Sequence, residues 1–265
     1  MALHQIKVNG RRCVYWRSGQ PQAKSMVILH GFQGSHEAMV DFGTAFSDYD
    51  VFMPDLPAHG ESEPLNSIHS VEAYARWLDS FLRELGIKRP IIVGHSYGAL
   101  IALTYAILGF GYKQLVLITP YPEYKTSIID GAYRLGRFLP DKLTRRVLSS
   151  YLFSRYTGKM FFVGKDRARQ KELVKMGQKA NGKTPINVII EIVEDIKSYR
   201  ADDFIGDIET KTLLLAGDAD WLIDRGFLAR CENRQQIEVR LVPEAGHLYP
   251  IEEPEAAAKV VIDWL

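Results

Sequence analysis

Five short apolar runs, each stopped by turn residues, constrain this chain more than any other feature. Val27-Ile28-Leu29 ends at His30-Gly31, and Val51-Phe52-Met53 ends at Pro54-Asp55. Ile91-Ile92-Val93 ends at Gly94, Leu115 to Ile118 at Thr119-Pro120, and Leu213 to Ala216 at Gly217-Asp218. Runs this short and this continuously apolar suit strands covered on both faces, as in a parallel sheet. Ile237 to Val242 alternates apolar with polar residues and predicts a half-exposed edge strand. Ile6 to Val8 and Arg12 to Trp16, joined across Asn9-Gly10, predict an opening hairpin. Val71 to Leu82 places apolar residues at steps of three and four, which predicts a helix with Ser70 as N-cap and Gly86 as its stop. Pro254 to Leu265 reads as a closing helix begun by proline. Strands alternating with helices imply an α/β class fold with a doubly wound sheet.

The alternation breaks between Tyr121 and Asp203. Leu139, Leu143, Val147 and Tyr151 follow a four-residue step that suits a helix, while Val188 to Val193 is ambiguous between strand and helix. The expected organisation is a core made of residues 1–120 and 204–265, with residues 121–203 a mainly helical insertion over the C-terminal edge of the sheet. Composition matters here. The chain's formal charge is +1, yet Lys125 to Arg200 holds 17 Lys and Arg against 7 Asp and Glu, leaving 16 against 25 elsewhere. A near-neutral total hides a basic insertion on an acidic body. Arg134, Arg137, Lys142, Arg145 and Arg146 interleave with Leu135, Phe138, Leu139 and Leu143, as in a surface-seeking helix. One reading is a solvated helical face. The other is attraction of an anionic substrate, an acidic membrane surface or an acyl carrier.

Gly94-His95-Ser96-Tyr97-Gly98 follows one of the buried-strand runs and precedes the helical Ala99 to Leu103. In that context the Gly-x-Ser-x-Gly pattern makes a sharp strand-to-helix turn that exposes the serine as a nucleophile. A serine hydroxyl needs a base. Of the histidines, His247 follows the last strand run in Glu244-Ala245-Gly246-His247 and is the candidate. His95 should point away from the pocket, His59 reads as structural, His30 as support for the loop after its strand, and His4, His36 and His69 have no matching context. The acid that orients the base is sought after the strand Leu213 to Ala216. There Asp220 is favoured over Asp218, which could instead hold the turn, and Asp224 could cap the next helix. Backbone N–H groups of Phe32 and Tyr97 are the candidate oxyanion donors. Tyr121, Tyr124, Tyr133, Phe138 and Trp221 could line a pocket or pack inside the insertion.

Together, His30-Gly31-Phe32, Asp55 to Ser62, Gly94 to Gly98, Gly217 to Asp220 and Gly246-His247 resemble the α/β-hydrolase fold superfamily over essentially the whole length. Pro57-Ala58 departs from the Gly-rich turn many relatives carry there, at a loop outside the Ser, Asp, His set. The resemblance implies an eight-stranded, mostly parallel sheet with helices on both faces and a helical lid, and chemistry without a cofactor. It does not fix the substrate. The expected reaction is hydrolysis of a carboxylic ester by Ser96 through an acyl-enzyme. Carbon–carbon, amide and thioester hydrolysis, or a non-catalytic receptor role, stay open. Serine at position 96 argues against the dehalogenase and epoxide hydrolase branches, which use aspartate. Cys13 and Cys231 are the only cysteines and make no metal or disulfide framework. Nothing in the charge balance points to nucleic acid. The opening residues lack a signal-peptide pattern and no long apolar run is present, so the cytoplasm is the expected location.

Overall fold

A computed structural model of the chain describes residues 2–121, 140–164 and 166–265. Asn9 and Gly10 both take left-handed backbone angles, with φ of +51° and +78°. Two such residues in succession make the hairpin turn whose twist matches the flanking strands. It joins β1 (Ala2–Val8) to β2 (Arg11–Gly19) in antiparallel register. The remaining strands are β3 (Ser25–Leu29), β4 (Asp50–Pro54), β5 (Ile91–His95), β6 (Gln114–Ile118), β7 (Thr212–Gly217) and β8 (Ile237–Val242). They form one sheet in the order β1-β2-β4-β3-β5-β6-β7-β8, parallel from β4 to β8. β8 is the edge strand that its alternation predicted.

The period of two in each strand builds two cores. Val27 and Leu29 face α2 (Val71–Glu84) and α3 (Tyr97–Ile107), whereas Met26 and Ile28 face α1 (His36–Thr44) and the closing helix at Pro254–Ile262. Apolar residues on both faces explain why the strand runs are continuous rather than alternating. α2 ends as its sequence requires. Ser70 Oγ accepts the Ala73 N–H at the start. At the end Gly86 takes φ +66°, its N–H reaches the Arg83 carbonyl, and the Ile87 N–H reaches Leu82, a Schellman cap.

Between β6 and β7 the described residues are helical: α4 (Asp141–Leu148), α5 (Tyr151–Phe161), α6 (Arg167–Asn181), α7 (Ile186–Ser198) and α8 (Asp202–Ile205). α9 (Arg225–Glu232), α10 (Tyr249–Glu252) and α11 (Pro254–Ile262) complete the chain. The ambiguous Val188 to Val193 lies in α7, where Val188, Ile189, Ile192, Val193 and Ile196 bury one helical stripe. The four-residue step does continue through α4, but Leu143 and Val147 are exposed, with Lys142 and Arg146 beside them. Leu135 and Leu139, with Tyr124, Tyr133, Arg134, Arg137 and Phe138, lie outside the described residues.

The basic insertion meets the acidic body directly. Lys179 pairs with Glu37 at 2.6 Å, Arg169 with Asp41 at 3.0 Å, and Lys183 with Glu61. Acidic groups also meet backbone donors across the same seam. Glu191 accepts the His69 N–H, Asp195 the Val71 N–H, and Glu252 the N–H groups of Val163 and Gly164. Part of the basic charge counted in that stretch therefore faces acidic groups of the surrounding chain. No described helix is long and apolar enough to cross a membrane.

Candidate active site

In the sheet order β4-β3-β5, the chain steps outward from β3 to β4 and then crosses back to β5. In an open parallel sheet that reversal leaves a crevice at the carboxyl ends of the central strands. Ser96 follows β5 there and Gly31-Phe32 follow β3. Ser96 has φ +54° and ψ −115°, a conformation that costs a non-glycine residue on the order of 1–3 kcal/mol. The flanking glycines explain how the turn closes. A side chain at Gly94 would run into the backbone of Gly98, and one at Gly98 into the carbonyls of Leu29 and His30. Gly31 is less tightly held, since a Cβ there would stand 3.3 Å from the Ser96 Cβ.

Ser96, His247 and Asp220 form one hydrogen-bonded chain. Ser96 Oγ is 2.8 Å from His247 Nε2, and His247 Nδ1 is 2.9 Å from Asp220 Oδ2. An ionised carboxylate can only accept, so Nδ1 carries the proton and Nε2 is left to accept from the serine hydroxyl. The second Asp220 oxygen accepts the Leu222 N–H at 3.0 Å, which fixes the carboxylate plane. Asp218 is exposed and accepts the Glu244 N–H at 2.7 Å, tying the loop after β7 to the loop after β8. Asp224 caps α9 by accepting the Phe227 N–H.

His95 departs from expectation. Its ring lines the cavity, and its Nε2–H donates to the His247 carbonyl at 2.9 Å. The Thr119 hydroxyl donates to the same carbonyl at 3.2 Å. Two donors on one carbonyl orient the loop carrying His247, and neither was legible in a sequence that separates them from it by more than a hundred residues. His30 accepts the Leu56 N–H at Nε2 and donates from Nδ1 to the Gly31 carbonyl, bracing the loop that bears Phe32. His36 bonds Asp55, as does the Glu61 N–H, and His69 bonds the Tyr74 hydroxyl. Asp55 is desolvated, but His36, His30 and the Glu61 N–H together outweigh that and hold its carboxyl below the usual range.

Burial pushes the imidazoles of His59 and His95 each down to about 3, with neighbouring His30 and His247 adding to the effect. In the unfolded chain both titrate near 6.5. Below that pH the unfolded state binds protons that the folded state refuses, so stability is present above about 6.5 and lost as pH falls. Each residue is expected to cost about 0.7 kcal/mol per pH unit near pH 6.5, rising to about 1.4 near pH 5, above the carboxylate range. Calorimetry across that window should show a steadily falling Tm, and a flat Tm would refute the neutral burial of these rings.

The cavity beside Ser96 measures about 270 Å³. Phe32, Tyr121, Phe153, Phe161, Leu222 and Met176 supply much of its apolar wall. No Lys or Arg lines it among the described residues. Tyr121 thus sits at the cavity, whereas Trp221 stacks on Phe161 at 5.8 Å and is partly exposed. Phe153, Phe161 and the α6 residues were missed in the sequence, where only a helical stripe marks them. Phe32 borders the cavity, and its ring meets the buried Tyr97 ring edge-on at 6.1 Å. Tyr97 is the first residue of α3, so its N–H has no acceptor within the helix. Among the described residues no group of three or more His, Cys, Asp or Glu gathers as a metal site would.

The alpha/beta hydrolase fold family model matches residues 24–254, and the chain belongs to that family. Lipase 1 of Psychrobacter immobilis is 24% identical over 257 residues, spanning 94% of this chain and 79% of that protein. A 2-succinyl-6-hydroxy-2,4-cyclohexadiene-1-carboxylate synthase of Klebsiella pneumoniae is 25% identical over 168 residues, spanning 63% of this chain and 66% of the synthase. Among solved structures, a thermophilic esterase from Thermogutta terrifontis superposes with a TM-score of 0.81 at 19% identity, covering 100% of this chain and 98% of the esterase. The enol-lactonase of Burkholderia xenovorans LB400 gives 0.82 at 19% identity, covering 98% and 99%. These likenesses establish the eight-stranded fold, and the chain is an alpha/beta hydrolase with esterase- and lipase-like relatives.

Proposed function

We propose that this chain is a serine hydrolase that cleaves carboxylic esters bearing an apolar group, through a covalent acyl-enzyme. The observation that carries this reading is the Ser96–His247–Asp220 hydrogen-bond chain opening into a largely apolar cavity. Ser96 Oγ attacks the ester carbonyl as its proton passes to His247 Nε2. Asp220 stabilises the imidazolium that forms and keeps the ring in the required tautomer. The backbone N–H groups of Phe32 and Tyr97 receive the developing oxyanion. His247 then protonates the leaving alcohol, and a water activated by the same imidazole releases the acid. Carbon–carbon, amide and thioester bonds could be broken by the same groups. An ester is favoured because the wall offers apolar surface and no described cation for an acidic substrate.

The test is covalent labelling combined with turnover. A fluorophosphonate probe should label Ser96, mapped by mass spectrometry of the digested adduct, and p-nitrophenyl butanoate should be hydrolysed. A protein that takes up no probe and turns over no ester would refute the assignment and favour a binding role.

A further inference from the structure

Most glycines of the described chain have a visible reason to be glycine. Gly10, Gly86 and Gly109 have left-handed backbones, and Gly94, Gly98, Gly217 and Gly246 are pressed against neighbouring atoms. Gly177 has neither reason. It lies inside α6 with no left-handed φ, and a Cβ built there meets no heavy atom within 4 Å. A helix interior is where glycine is unfavourable relative to alanine, because the backbone loses more freedom on folding. The residue thus weakens its helix without relieving strain or admitting a protein neighbour.

What lies beside it is the cavity. Leu173, Met176, Gly177, Ala180 and Asn181 all line it. Their spacing of three and four residues is that of one helical face. The same cavity holds Ser96 and His247. We propose that Gly177 is a specificity-determining residue, its missing side chain leaving room for an apolar chain of the ester substrate that runs along this face of α6. Leu173 and Met176 would contact that chain, with Phe153 facing it from α5. The proposal deepens the ester-hydrolase reading and rests on it.

The test compares Gly177→Ala and Gly177→Leu with the parent protein in two substrate series. One series runs from p-nitrophenyl acetate to octanoate, and the other from ethyl to octyl acetate. In whichever series the chain occupies α6, Gly177→Leu is expected to lower kcat/KM for the longest member about tenfold or more, the scale on which a pocket distinguishes added methylene groups. The shortest member of that series, p-nitrophenyl acetate or ethyl acetate, should change less than about twofold. Gly177→Ala should show a smaller loss and a Tm about 2–4 °C higher, since alanine suits an unstrained helix interior. That rise also shows that the fold is intact. An unchanged length profile in both series would overturn the proposal, as would an equal loss for short and long esters. Failure of the underlying reading looks different. It is seen in the parent protein itself, as no turnover in either series, and that result would sink both.

Discussion

Ser96→Ala is expected to abolish ester hydrolysis, lowering kcat by about 10⁶-fold, the scale seen when an activated serine is removed from a unit of this kind. The alanine lacks the hydroxyl that His247 Nε2 meets at 2.8 Å, so no covalent intermediate can form. KM should move little, because the cavity wall is left as it was. The strained backbone at residue 96 is set by the fit of Gly94 and Gly98 against their neighbours, which the substitution does not touch. Steady-state kinetics on p-nitrophenyl butanoate, with circular dichroism to verify folding, checks this. Turnover within tenfold of the parent would remove Ser96 from the chemistry.

Asp220→Asn should lower kcat by about 10⁴-fold, while Asp218→Asn should stay within a few-fold of the parent. The contrast follows from the geometry. An amide nitrogen facing His247 Nδ1 favours the other tautomer, which puts a hydrogen on Nε2 and leaves Ser96 without a base. At Asp218 an asparagine oxygen can still accept the Glu244 N–H, so the loop is kept. Parallel kcat measurements on the two variants decide between neighbours that the sequence alone left in competition. Equal losses would mean that loop geometry, and not the carboxylate on His247, sets the rate.

These expectations draw on two kinds of information. The strands, the capped helix at Val71, the elbow at Ser96 and the placement of His247 after the last strand were all legible. Each is written in a stretch of a few residues: an apolar period, a turn pair, a capping serine, a glycine whose partner lies four positions away. Local sterics and hydrogen bonding act over that same range, so the signal and its cause coincide. His95 misled because the elbow pattern says nothing about the loop that packs over it. Only when His247 arrives does its carbonyl give the His95 ring an acceptor. The cavity wall was hidden for a similar reason, since Phe153, Phe161 and Met176 follow helical stripes that would equally suit burial against protein.

The contrast between a basic insertion and an acidic body was plain from counting, but its use was not. Lys179, Arg169 and Lys183 find Glu37, Asp41 and Glu61 across more than a hundred residues of chain. Like Gly177, whose empty side was invisible until the helix was set beside the cavity, these pairings depend on which surfaces meet. The sequence by itself determined most of the strands, the sheet class and the candidates Ser96 and His247, and it narrowed the acid to Asp220 or Asp218. The tertiary structure alone decided how they are braced, which charges close the seam and where the cavity has room. Short-range periodicity encodes the first set, and packing between segments remote in the chain, which leaves no local trace, creates the second.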